Sequence, residues 1–234
     1  MRITFWNFQW IWNPPTVTAF RHFITSQKTL IHEIIEPIIS IDNWKGFNWG
    51  CLGYSVISKY CNESGMDTLW VFKNNDVQTL SFEEGHQVIT LVVCLNNVPF
   101  SLSFVYSSYS YTRRRVLWRK FAQLHESMDH NWIVIGDFIT VLWPYEMIGC
   151  NFSCSDAEDF FHFLDSCDIT ELPISRASFT RGRFTINGRH ASKMYRCFYH
   201  IGGSSVLSDI SGLTLPMFNS EHNPIIVDLS GKSP

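Results

Sequence analysis

Two patterns of apolar positions alternate along this chain. Short runs of apolar residues, continuous or alternating, are separated by stretches where apolar residues recur every three to four positions. The runs predict strands and the recurrent stretches predict helices. Strands are expected at 2–8, 30–35, 69–72, 77–81, 87–94, 100–106 and 133–137, the last led in by Asn131 and Trp132. A closing strand is expected at 224–229. A late strand pair is expected at 178–185 and 194–199. Turn residues separate several of these, with Asn74-Asn75, Glu83–Gly85 and Asn96-Asn97 the clearest. Helices are expected at 16–26, after Pro14-Pro15, at 112–128, and at 157–167. In the second helix Leu117, Phe121, Leu124 and Met128 fall on one face.

Strands mixed with helices in this order predict an α/β (α+β) layered fold. The hairpin-like run from 69 to 106 argues against a purely parallel sheet. Two mixed sheets packed face to face, with helices outside, fit better. No internal repeat, low-complexity tract or linker interrupts the chain, so residues 1–234 are expected to form one domain.

Composition narrows the class. Hydrophobic residues make up 45% and charged residues 17%, with 19 Phe, 9 Trp and 8 Tyr, which excludes a disordered chain, a coiled coil or a collagen-like fibre. The net charge of -3 means that any contact with nucleic acid must be local or helped by a cation. No apolar run approaches the ~20 residues that span a bilayer. The seven cysteines are odd in number, sparse and without a zinc spacing, which predicts reduced thiols and an intracellular protein. Asn62-Glu63-Ser64 and Asn151-Phe152-Ser153 fit the glycosylation pattern, but no secretion signal precedes them.

Some residues carry candidate chemistry. Asp137 follows a fully apolar strand, a place that fixes a carboxylate at a crevice, although a turn Asp has the same pattern. Ser220-Glu221-His222-Asn223-Pro224 sets an acid beside an imidazole before the closing strand, or is a polar loop. Glu36 ends the second strand, where a carboxylate can hold a hard cation or simply be solvated. Asn7 lies in an apolar strand and needs partners. Arg113-Arg114-Arg115 fits a solvated first helical turn better than a phosphate site. The Trp-rich segments 6–12 and 44–49 fit packing better than base stacking.

Taken in order, these residues resemble the endonuclease/exonuclease/phosphatase superfamily, the DNase I-like fold. They are most like the endonuclease domains of plant LINE-type retrotransposons. Trp6-Asn7-Phe8-Gln9 followed by Asn13-Pro14 is similar to W-N-C-R-G-x-x-N-P. The run from Lys28 to Glu36 is similar to K-P-D-x-x-x-L-x-E. Leu69-Trp70, Val105-Tyr106, Arg114–Trp118 and Ile135-Gly136-Asp137-Phe138 match the family's L-W, V-Y, R-R-x-L-W and I-G-D-F elements. Phe179-Thr180 and Met194-Tyr195-Arg196 sit where F-T-W and L-D-R occur, and Ser220–Pro224 where S-D-H-x-P occurs.

The resemblance implies a four-layer α/β sandwich and a phosphodiesterase or endonuclease dependent on Mg²⁺ (or Mn²⁺). Its substrate would be nucleic acid, DNA first, or another phosphoester. Glu36, Asn7 and Glu221 would hold the metal. Asp137 would activate water, while Tyr106 and His222 would contact the phosphate. The chain departs from the family at Ile139, where an Asn is usual, and at Tyr195, where an Asp pairs with the His. Glu221, Ser107, Met66 and Gln9 are further departures. Two readings follow: a metal-dependent hydrolase with a partly degenerate site, or a non-catalytic, retroelement-derived relative that keeps the fold.

Overall fold

The computed structural model describes residues 1–9, 14–43, 48–61, 65–95, 97–128, 130–186, 188–200, 210–216 and 220–229. Asn13, the Asn62 sequon, and Trp10, Trp12 and Trp44 of the Trp-rich segments lie outside them.

In chain order the elements are β1 (Arg2–Asn7), α1 (Pro14–Gln27), β2 (Ile31–Ile35), β3 (Tyr54–Cys61), β4 (Asp67–Asn74), β5 (Thr79–Gly85), β6 (Val88–Leu95) and β7 (Val98–Tyr106). They continue with α2 (Tyr111–Glu126), β8 (Asn131–Asp137), β9 (Met147–Ile148), α3 (Cys154–Ser166), β10 (Thr170–Glu171) and β11 (Ile174–Ser175). The last are β12 (Arg181–Thr185), β13 (Gly188–Ser192), β14 (Tyr195–His200), β15 (Ser211–Thr214) and β16 (Ile225–Asp228). One sheet runs β11-β15-β16-β1-β2-β4-β3, a second runs β10-β14-β8-β7-β6-β5, and β12-β13-β9 form a small third.

The sequence pattern explains the layers. Strand residues alternate between faces, so Ile3, Phe5, Ile31 and Ile35 of the first sheet meet Phe100, Leu102, Phe104, Ile133 and Ile135 of the second in a dry core. The opposite face of the first sheet sends Trp6, Phe8, Ile34 and Trp70 against Phe20, Phe23 and Ile24 of α1. The outer face of the second sheet sends Val105, Trp132 and Val134 against Leu117, Phe121, Phe160 and Phe163 of α2 and α3. Helix, sheet, sheet and helices thus make the expected four layers, and both large sheets are mixed, with β1–β2 and β7–β8 parallel.

Some expectations need correction. The strands of the late pair are not partners: β12 pairs with β13, and β14 pairs with β8 and β10 in another sheet. Arg114 is not solvated. It is buried, holds the carbonyls of Ser108 and Tyr109, and pairs with Asp156 of α3 at 2.5 Å. Trp6 and Trp49 pack in the core, Trp49 stacking on Phe72 at 3.6 Å between ring centres. All seven cysteines are free. No helix among the described residues is long and apolar enough to cross a membrane.

Candidate active site

Six chain segments end side by side at one edge of the sandwich. In the second sheet β14, β8 and β7 are neighbours, and their registers set Tyr195 and Tyr106 on either side of Asp137. In the first sheet β16, β1 and β2 are neighbours. Asn7 ends β1, Glu36 follows β2, and His222 precedes β16. Strand geometry alone therefore gathers all six onto facing sheet ends.

Local contacts hold each one. Gly136 lets β8 approach β7: a Cβ there would stand 2.1 Å from the Val105 carbonyl oxygen, and its φ is +151°. The Ile139 N–H donates to Asp137 Oδ1 at 3.1 Å. Glu36 is anchored through its own N–H to the Thr68 carbonyl at 2.9 Å, and its backbone is left-handed, with φ +50°. Tyr106 donates its hydroxyl to Glu36 Oε1 at 2.9 Å. Asn7 Oδ1 accepts from the Gln9 N–H at 3.1 Å. Ser220 donates to the Asn7 carbonyl at 2.8 Å and accepts from the His222 N–H at 3.1 Å, tying the acid-His loop to β1.

Tyr195 stands where the resemblance implies an acid. Its hydroxyl hydrogen-bonds His222 Nδ1, and the rings lie 15° from parallel. Burial first, and then the charges of Asp137 and Glu36, push the phenol pKa well above its usual value, against smaller effects of Asn7 and Arg181. Tyr195 is therefore a protonated donor. Nδ1 accepts, and the ring proton is assigned to Nε2. His222 Nε2 has no partner although His222 is only 2% exposed. Burial, and the nearby charge of Arg181, lower the His222 pKa to about 3, so the ring is neutral.

Burial raises Asp137 to about 7; Glu36 adds to the rise, while the Ile139 N–H and Arg181 oppose it. Glu33 of β2 points into the inter-sheet core with neither carboxylate oxygen paired, and burial followed by the charge of Asp137 pushes its pKa well above the usual range. Glu221 is placed by its backbone: its N–H donates to Gln9 Oε1 at 3.4 Å and its carbonyl accepts from Gly182. Its carboxylate makes no hydrogen bond or ion pair among the described residues. Beside Tyr106 opens a cavity of about 540 Å³, lined by Tyr60, His86, Gln87, Tyr109 and Arg113 among others.

Sequence reasoning singles out neither Arg181 nor Tyr109. Both join the site: Tyr109 feels the charges of Glu36 and Asp137, and Arg181 acts on Asp137, Tyr109, Tyr195 and His222. Arg181 directly follows Phe179-Thr180, so reading that motif one residue further would have found it. Glu33 was equally visible as an acid inside an apolar strand.

No protein-family model matches the chain, and no curated protein matches it. Solved structures do. The endonuclease domain of TRAS1, a telomere-specific non-LTR retrotransposon, superposes with a TM-score of 0.73 at 13% identity over 99% of each chain. The AP endonuclease LMAP from Leishmania major gives 0.74 at 14% identity, over 97% of this chain and 86% of that one. The 3'-5' exonuclease NExo from Neisseria meningitidis gives 0.72 at 12% identity, over 97% and 99%. At such identities the likeness establishes the fold, which is that of the DNase I-like endonucleases, exonucleases and phosphatases.

Proposed function

We propose that this chain is a divalent-metal-dependent phosphodiesterase acting on nucleic acid, with DNA as the first substrate class, of the kind found in LINE-type retroelement endonucleases. The observation that carries the reading is the convergence of Asn7, Glu36, Tyr106, Asp137, Tyr195 and His222 from both sheets. The structural relatives, named as endonucleases and an exonuclease, support it.

The donor set suits Mg²⁺ or Mn²⁺. Glu36 and Asp137 repel each other in a largely buried site, and the remaining donors are oxygens. Such an ion takes one or two carboxylates and keeps several of its waters. Glu36 and Asn7 would hold it, with Glu221 in support. Bound there, the ion supplies positive charge to offset that of the phosphate.

The chain's own groups do the rest. Asp137, poised near neutral pH, takes a proton from an attacking water. The Ile139 N–H holds Oδ1 and leaves Oδ2 for that water. The water oxygen bonds to phosphorus, the P–O bond to the leaving group opens, and the leaving oxygen is protonated from solvent. Tyr106 donates to Glu36 and orients that carboxylate toward the metal, rather than giving its proton to the phosphate as the resemblance implies. His222, its tautomer fixed by Tyr195, offers Nε2–H to a phosphate oxygen.

The test is nicking of supercoiled plasmid in Mg²⁺, against EDTA and His222→Ala. Nicking that needs the metal and is lost in the variant is expected. No nicking, with activity restored by Ile139→Asn, would overturn the reading in favour of a folded but eroded relative. That alternative rests on Ile139, which brings no polar side-chain atom to Asp137.

A further inference from the structure

We infer that Arg181 is a phosphate-binding residue of this site, its guanidinium gripping the non-bridging oxygens of the phosphate under attack together with His222 Nε2. The inference rests on the phosphodiesterase reading above and names a group that binds its substrate.

The geometry begins with an isolated antiparallel bridge between Arg181 and His222. Gly182 N–H donates to the Glu221 carbonyl at 3.0 Å and Asn223 N–H to the Thr180 carbonyl at 2.9 Å. Those two bonds flank the Arg181–His222 pair, which makes it the close, non-hydrogen-bonded kind. The side chains of such a pair leave the ribbon on the same face, with Cβ atoms about 4.5–5.5 Å apart. Thr180 fixes the base of the arrangement: its hydroxyl accepts from the N–H groups of Met194 and Tyr195 at 3.1 and 2.9 Å. Arg181 is thus locked to the His222 loop on one side and to the start of β14 on the other.

Its side chain is not otherwise occupied. Among the described residues the Arg181 guanidinium makes no hydrogen bond or ion pair, whereas Arg2, Arg114, Arg115 and Arg196 each pair with a carboxylate. Its charge nevertheless reaches Asp137, Tyr109, Tyr195 and His222. A half-buried cation without a partner stands beside a buried imidazole whose Nε2 also lacks one. Two unused donors on one face define an acceptor between them. A tetrahedral oxyanion satisfies both, since guanidinium presents a fork matched to two phosphate oxygens and keeps its charge at any working pH. Tyr195 adds a reason: it brings His222 a hydroxyl and no negative charge, so the permanent cation on this face is Arg181.

The test uses bis(4-nitrophenyl) phosphate, a diester with a single phosphate, beside plasmid DNA, for wild type, Arg181→Gln and Arg181→Lys. In parallel, the Arg Nε–H resonances of the ¹⁵N-labelled protein are followed as dimethyl phosphate is added, with Arg181→Lys identifying the Arg181 signal. The expected result is a loss of about 10²-fold in kcat/KM for Arg181→Gln on both substrates. Arg181→Lys should fall between, thermal midpoints should be unchanged, and the Arg181 resonance should shift on titration. A loss on plasmid alone would place Arg181 on a flanking phosphate and overturn the assignment. Normal hydrolysis by Arg181→Gln, with no resonance shift, would overturn it while leaving the phosphodiesterase reading intact. A resonance shift in a protein that hydrolyses neither substrate would sustain phosphate binding and sink the hydrolytic reading instead.

Discussion

Ile139 sits at φ +50°, a left-handed conformation that strains a β-branched side chain by about 1–2 kcal/mol and suits Asn. Ile139→Asn should therefore raise the unfolding free energy by about 1 kcal/mol, read in urea, and raise the plasmid-nicking rate at the same time. Activity gained at the expense of stability would contradict this. Tyr195→Phe removes the donor to His222 Nδ1 and leaves a buried nitrogen unpaired, a loss of about 1–3 kcal/mol. Nicking should fall by about tenfold or more, and the His222 ring should lose its single tautomer in ¹⁵N spectra. An unchanged tautomer would show that Tyr195 does not set it. At this scale the sequence marked Glu36 and Asp137 as carboxylates at the ends of apolar strands, Asn7 as an amide within one and His222 as an imidazole beside an acid, while Tyr106 followed only from the resemblance. Arg181 was reachable only by reading one residue past Phe179-Thr180, since its neighbour His222 is 41 positions away in number but opposite in space.

At the level of elements, strand registers do the positioning. The close approach of β7 to β8 places Tyr106 beside Asp137, and it depends on Gly136 lacking a side chain. Gly136→Ala must push these strands apart. Its expected effect is a fall in stability of several kcal/mol, in line with overpacking and backbone strain combined, together with loss of nicking. A stable variant with normal activity would show that β7 yields freely. The long apolar strands and all three helices were legible because their patterns run unbroken. β13 (GRHAS) and β15 (SGLT) were not, since short polar strands carry no periodicity. The mistaken pairing of 178–185 with 194–199 has the same origin. Both are strand-like, but β13 intervenes and claims the first, and local sequence does not encode which partner wins.

At the scale of the molecule, four buried titratable groups bear on the response to pH between 3 and 7. His32 and His222 are each lowered to about 3, mainly by burial, so both favour the fold as pH rises from 3 to their ordinary 6.5. Asp137 and Glu33 are raised, so each disfavours the fold as pH climbs above its ordinary value near 4, Asp137 until about 7. The two pairs oppose one another between about 4.5 and 6.5, where stability should be nearly level. Below that range it should drop. Thermal midpoints across pH 3–9 test this, and Glu33→Met, which removes a buried unpaired acid, should raise the midpoint more at pH 8 than at pH 4. An equal gain at both pH values would show that Glu33 does not contribute to the pH dependence.

β16 fills the gap between β1 and β15, and Arg2 is paired with Asp228 in its register. The centre of the first sheet thus stays open until almost the last described residues arrive. During synthesis the ribosome must release residues 225–228 before β1 gains its second neighbour, and the loop bearing His222 docks in the same step. Such late closure between distant segments makes folding slow. It also couples the arrival of His222 to completion of the core, so a nascent chain from which residues 225–228 have yet to emerge has no assembled site.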